Sequence, residues 1–140
     1  MKLIIQQVII GTALAVMLFV LSGCKEVFHS KEDINYTELV LDMEHNDSVK
    51  KKEKDYFKFY AEQGKTYNVD LKHRSSSASS THIYIGAFWY DTEETVIGEL
   101  RFSEGDWKKT SFTASRSGNV VIRVTSQNIN SSSYTIKITQ

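Results

Sequence analysis

The chain has 140 residues, with 17 basic and 17 acidic side chains, a formal net charge of zero and a single cysteine. That balance argues against nucleic acid as a partner, because the phosphate backbone is held by clustered Lys and Arg. One thiol excludes an intrachain disulfide and a multi-cysteine metal site. The first element is a Met-Lys start followed by an uncharged run from Leu3 to Gly23, broken only by Gln6 and Gln7 in its apolar character. A short basic start, an apolar middle and small residues before a break have the form of a secretory signal peptide. The competing reading is an uncleaved helix, since 21 uncharged residues at about 1.5 Å each suffice to span a bilayer.

The break itself is Leu21-Ser22-Gly23-Cys24, which resembles the bacterial lipobox. The resemblance implies cleavage after Gly23, a covalent diacylglycerol and acyl lipid on Cys24, and a chain exported and anchored at a cell envelope. Each buried methylene contributes about 0.8 kcal/mol, so two or three acyl chains hold without help from the protein surface. Lys25 stands where enterobacterial lipoproteins retained at the inner membrane carry aspartate, so an outer membrane is the implied destination in a host that has one. Removal of 1–23 leaves 117 residues, with 16 basic against 17 acidic side chains and its only thiol at residue one. That is one domain of ordinary size, without a cysteine nucleophile or thiolate metal site.

Residues 24–35 are polar and without period, and are expected to form a tether. From Tyr36 onward apolar residues recur every second position, the mark of half-buried strands. Phe57, Phe59 and Ala61 share one face, as do Tyr67, Val69 and Leu71; Val120, Ile122 and Val124; and Tyr134, Ile136 and Ile138. Further strands are expected at 37–42, 81–90, 95–102 and 108–114. Turn formers punctuate them at 62–65, 103–106 and 115–119, with serine-rich loops at 74–80 and 128–133. The pattern predicts an all-β domain over 36–140: one jelly-roll-like antiparallel sandwich of seven or eight strands.

The segments "KDYFKFYAEQGKTYNVDL" and "SGNVVIRVTSQNINSSSYTIKI" resemble the bacterial pre-peptidase C-terminal domain over about 36–140. That family implies a small sandwich, commonly attached to secreted proteases, some members of which bind calcium, collagen or polysaccharide. For calcium the resemblance implies Asp42, Glu44, Asn46 and Asp47 of "DMEHND", completed by Asp55; oxygen ligands suit that ion. Only seven residues, Ser48 to Lys54, separate the two parts, fewer than in the family pattern. A register with 37–42 as first strand makes "HNDSVKKKEK" a polar turn instead. For collagen the departures are Thr125 and Gln127, where the collagen binders carry tyrosine.

Nothing points to an enzyme. "GKT" at 64–66 lacks the first glycine of a phosphate-binding loop, since that position is Phe59. The serines lack a nucleophile elbow, and His29, His45, His73 and His82 lack metal-ligand spacing and are expected at the surface. The strand "HIYIGAFWYD" is apolar on both sides, with Ile83, Ile85, Ala87 and Trp89 facing one way and Tyr84, Phe88 and Tyr90 the other. The second set, with Trp107, is the candidate platform for an envelope or extracellular protein or glycan, because aromatic faces stack sugars and grip proteins. The expected function is therefore a non-catalytic binding or adhesion module on a lipid anchor. The alternative is an accessory subunit of a separately encoded exported protease or other envelope enzyme.

Overall fold

A computed structural model of the chain describes residues 34–76, 82–103, 105, 107–127 and 131–140. Cys24, the apolar run before it and His29 lie outside the described residues, as do 77–80 and 128–130 of the serine-rich loops. Residues 34–140 form one compact unit.

Nine strands are present among the described residues: β1 (Thr37–Glu38), β2 (Glu44–Val49), β3 (Lys54–Ala61), β4 (Thr66–Ser76), β5 (His82–Trp89), β6 (Thr95–Ser103), β7 (Trp107–Thr113), β8 (Gly118–Ser126) and β9 (Ser132–Thr139). They form a five-stranded sheet ordered β1-β3-β8-β5-β6 and a four-stranded sheet ordered β2-β9-β4-β7. Every pairing is antiparallel except β1 with β3. The all-β sandwich expected from the period-two pattern is the fold observed.

The alternation explains the layers. Phe57, Phe59, Ile83, Ile85, Ala87, Trp89, Val120, Ile122 and Val124 are buried on the inner face of the larger sheet. Tyr67, Val69, Leu71, Tyr134, Ile136 and Ile138 do the same on the smaller one. Two such faces exclude water between sheets about 10 Å apart. Phe59, Tyr67 and Phe112 form the aromatic centre at one end, with Tyr67 and Phe112 stacked at 5.6 Å. The buried Tyr67 hydroxyl accepts the Glu62 N–H at 2.9 Å, so its polar tip is satisfied. Gly64 in the β3–β4 turn has φ +80, a conformation open mainly to glycine.

The expected first strand over 37–42 is cut to two residues. The Leu39 N–H still bonds to Lys58 of the larger sheet, but the Asp42 N–H bonds to Ile138 O of the smaller one. The chain thus changes sheets between these residues, turning through Asp42 at φ 66. The "HNDSV" part of the expected polar turn is instead β2, paired along its length with β9. Its polar composition hides a buried side: His45 packs edge-on against Phe57 at 5.2 Å and Val49 is fully buried. As an edge strand it needs only one neighbour and can carry polar residues outward.

Candidate binding site

The two sheets present separate outer faces, and these divide the residues expected to form one platform. Tyr84 and Phe88 lie on the outer side of β5, and Tyr90 follows it. Trp107 belongs to β7 of the other sheet, opposite Lys72, whose neighbours Leu71 and His73 point inward and are fully buried. Trp107 therefore faces outward on the far side of the sandwich. The expected joining of Trp107 to the tyrosine face does not occur, because strand order in the two sheets, not residue type, decides which aromatics meet.

The tyrosine face is half-covered. Tyr36 packs edge-on against Tyr90 at 5.5 Å and Tyr56 at 6.0 Å. Lys58 Nζ lies 5.5 and 5.6 Å from the Tyr36 and Tyr90 ring centres and pairs with Glu38 at 2.9 Å. Across this face Lys58, Val121 and Phe88 fall in one row, and Val121 is completely buried although it points away from the core. Burial raises the Tyr36 hydroxyl above its usual pKa, with Tyr90 and Tyr56 adding and Lys58 opposing. Tyr84, Phe88 and Tyr90 are thus each half-buried, and Tyr90 is packed under Tyr36 of the entering chain.

The face around Trp107 is built differently. Cross-strand register places Glu44 beside Lys137, Lys137 beside Asp70, and Asp70 beside Lys109. Neighbouring strands lie about 4.7–4.9 Å apart, so acceptors and donors alternate across all four strands. Glu44, Asp70, Lys109, Lys137 and Trp107 line a groove of about 330 Å³. Trp107 is 41% exposed, with Lys72 Nζ over its ring at 5.9 Å from the centroid. Asp70 sits between Val69 and Leu71 and so points outward, yet it is only 7% exposed. Its Oδ2 pairs with Lys109 Nζ at 3.4 Å, while its buried Oδ1 has no hydrogen-bond partner among the described residues.

The calcium residues are separated by the same alternation. Glu44 and Asn46 take the outer side of β2, where Asn46 Oδ1 accepts the Thr135 hydroxyl at 2.8 Å. Asp47 takes the inner side with His45, whose Nε2 is 3.6 Å from Asp47 Oδ2, and Asp42 sits in the preceding turn. Asp55 accepts the Tyr134 hydroxyl at 2.6 Å. Burial raises the Asp55 pKa above the usual carboxylate range; Asp47 and Glu53 add to this, while the Tyr134 bond and His45 oppose it. Among the described residues no group of three or more His, Cys, Asp or Glu is placed to hold a metal ion.

Sequence reasoning expected His73 at the surface, but it is fully buried on the inner side of β4. His82 contacts Arg101 on β6, so the two histidines lie on different sheets. The Arg116–Asp91 clamp was also not foreseen. Two 2.6 Å bonds join them, and the guanidinium lies 4.6 Å from the Trp89 ring centre, closing one end of the core. Asp70, Lys109 and Lys137 were missed because their meeting depends on register across three strands.

The crystal structure of the pre-peptidase C-terminal domain of collagenase from Bacillus anthracis matches this chain with a TM-score of 0.58. The match covers 74% of this chain and 94% of that domain, at 11% identity. The fold is that of a pre-peptidase C-terminal domain. No protein-family model matches the sequence, and no curated protein matches it. At this identity the pre-peptidase likeness speaks for the arrangement of strands alone, and the chemistry of each face rests on this chain's own side chains.

Proposed function

We propose that this chain is a membrane-anchored bacterial lipoprotein whose pre-peptidase-type sandwich is a non-catalytic module for an envelope or extracellular protein or glycan. The observation that carries the binding reading is the Trp107 groove: a half-exposed indole beside a buried carboxylate oxygen that has no partner among the described residues. The anchor rests on the Leu-Ser-Gly-Cys stretch after an uncharged run. It places the sandwich at the envelope surface, in the outer membrane of a diderm host, with Cys24 carrying the lipid.

Two experiments test the two halves. Cells fed labelled palmitate should incorporate it into the wild-type chain and not into Cys24→Ser, which should leave the membrane fraction; a variant that stays membrane-bound and labelled overturns the anchor. Thermal melting of the purified chain against glycans and matrix proteins tests the module. A ligand at a hundred times its dissociation constant stabilises by about 2.7 kcal/mol, which shifts the midpoint of a domain this size by roughly 10 °C. Arms with EDTA and with calcium decide the ion separately: a comparable calcium shift would require Asp42, Glu44, Asn46, Asp47 and Asp55 to draw together from both sides of β2.

A second reading has one observation in its favour, namely that the matching crystal structure is a domain of a collagenase. The chain would then be an accessory subunit of a separately encoded exported protease. Recovery of a protease with the chain from detergent-solubilised envelopes would support it. Thr125 lies half-buried beside Tyr84 on the covered face, which gives collagen no open tyrosine row there.

A further inference from the structure

We propose that the groove on the outer face of the four-stranded sheet is a subsite for a neutral sugar residue, with Asp70 Oδ1 accepting a sugar hydroxyl and Trp107 packing against the ring. This rests on the binding-module reading and names its ligand class and its residues.

The first observation is Asp70. A carboxylate on the solvent side of a sheet ordinarily meets water, but this one is 7% exposed, with Oδ1 unbonded among the described residues. Native structures rarely leave a buried acceptor unsatisfied, and each exception calls for a reason. A donor arriving with a ligand supplies one. The carboxylate itself lines the groove, and the partner of its other oxygen, Oδ2, is Lys109, whose side chain is 73% exposed.

The second observation is charge. The four charged residues lining the groove, Glu44, Asp70, Lys109 and Lys137, sum to zero and alternate in sign across the ladder, and Lys72 adds one positive charge at the Trp107 end. A phosphate or carboxylate ligand would meet the two acids, and an ammonium ligand would meet the two lysines. A hydroxyl both donates and accepts, so it fits a neighbouring carboxylate and ammonium together. A sugar presents several hydroxyls around a ring whose remaining surface is C–H. The exposed indole of Trp107 offers the flat apolar surface that such a ring face requires, and Lys72 Nζ over that indole helps fix its orientation. A groove of about 330 Å³ is at the small end of ligand sites, which suits one sugar ring of a longer chain.

The test titrates the full chain in detergent with maltopentaose, cellopentaose, mannopentaose and chitopentaose, using pentalysine and a heparin hexasaccharide as charged controls. The readout is the indole N–H resonance of Trp107, with buried Trp89 as internal reference. The expected result is that at least one neutral saccharide moves the Trp107 signal with a millimolar or tighter dissociation constant, and neither charged probe does. Asp70→Asn keeps an acceptor but removes its charge, and should weaken that binding by about fivefold, the difference between a charged and a neutral hydrogen bond, without lowering the melting midpoint. If Asp70 served only to hold β4 to β7 through Lys109, the variant would melt earlier and bind equally well, which overturns the assignment. Trp107→Ala, at an exposed edge away from the core, lacks the reporter resonance and is read by calorimetry beside the wild type; it should lose the binding heat, and this keeps the test decisive should Asp70→Asn fold poorly. Saccharides that perturb Tyr84 and Tyr90 instead would overturn this subsite while leaving the binding module standing. Silence from every neutral sugar, with an exported protein co-purifying equally with wild type and Trp107→Ala, would overturn the ligand class and not the module.

Discussion

Tyr134 and Asp55 join the two sheets through one 2.6 Å hydrogen bond, and the neighbours of Asp55 set its response to pH. Burial raises its pKa, so in the interval above the ordinary value of about 3.9 the folded state holds a proton that the unfolded state has released. Stability therefore falls as pH rises through that interval. Asp91 has the opposite sign: its bonds to Arg116 hold its carboxyl below the usual range, so its contribution is present above the unfolded value and lost as pH falls through the folded one. Urea unfolding of wild type and Asp55→Asn across pH 4 to 7, about the range concerned, should give a difference that moves in the variant's favour as pH rises. A flat difference would mean that Asp55 ionises as freely in the fold as outside it. Tyr134→Phe removes the donor and leaves a half-buried carboxylate less satisfied. The expected cost is about 1–2 kcal/mol, at the lower end for a hydrogen bond to a charged group, read as a lower urea midpoint with unchanged slope.

The strands show where a linear pattern carries structural information and where it stops. β3, β4, β5, β8 and β9 were legible because their inward residues are apolar and their period is two, the signal a water-excluding face imposes. β2 was not, because of its inward residues His45, Asp47 and Val49 only Val49 is buried and its outward side is wholly polar. What makes it a strand is the length of β9 beside it, a tertiary fact. The candidate groove was legible only at Trp107. Asp70 reads as an ordinary outward residue of "TYNVDLK", and nothing local says that Lys109 and Lys137 flank it. The same architecture ranks the strands by protection. β8 is central in the five-stranded sheet, and β9 and β4 are central in the other, whereas β1 and β2 are edges with few apolar contacts of their own. Amide hydrogen exchange should be slowest in β8, β9 and β4 and fastest in β1 and β2. Val49→Ala, removing the one fully buried side chain of β2, should cost about 2 kcal/mol and should speed exchange in β2 before β9. Equal loss of protection in every strand would show that β2 does not open separately.

At the scale of the whole domain, every sheet pairing except two, β1 with β3 and β5 with β6, joins strands far apart along the chain: β3 pairs with β8, β2 with β9, β4 with both β7 and β9, and β5 with β8. Such pairings require closing long loops before any contact rewards them, and all-β sandwiches fold in milliseconds to seconds for that reason. Two further brakes are missing by composition. The chain has no proline at all, and its one cysteine precedes the folded unit. Proline isomerisation, which takes about 10–100 s, therefore has no X-Pro bond on which to act, and disulfide exchange has no pair within the sandwich. Refolding by dilution from urea should be a single exponential in the millisecond-to-second range. A double-jump experiment, in which the unfolded chain is aged for increasing times before refolding, should give the same amplitude at every age, and a prolyl isomerase should change nothing. A slow phase of the same amplitude at every age would arise from topology, as a trapped pairing of the wrong edges formed during refolding. β2 and β7, the exposed edges of the four-stranded sheet, are the strands whose substitution should then alter it.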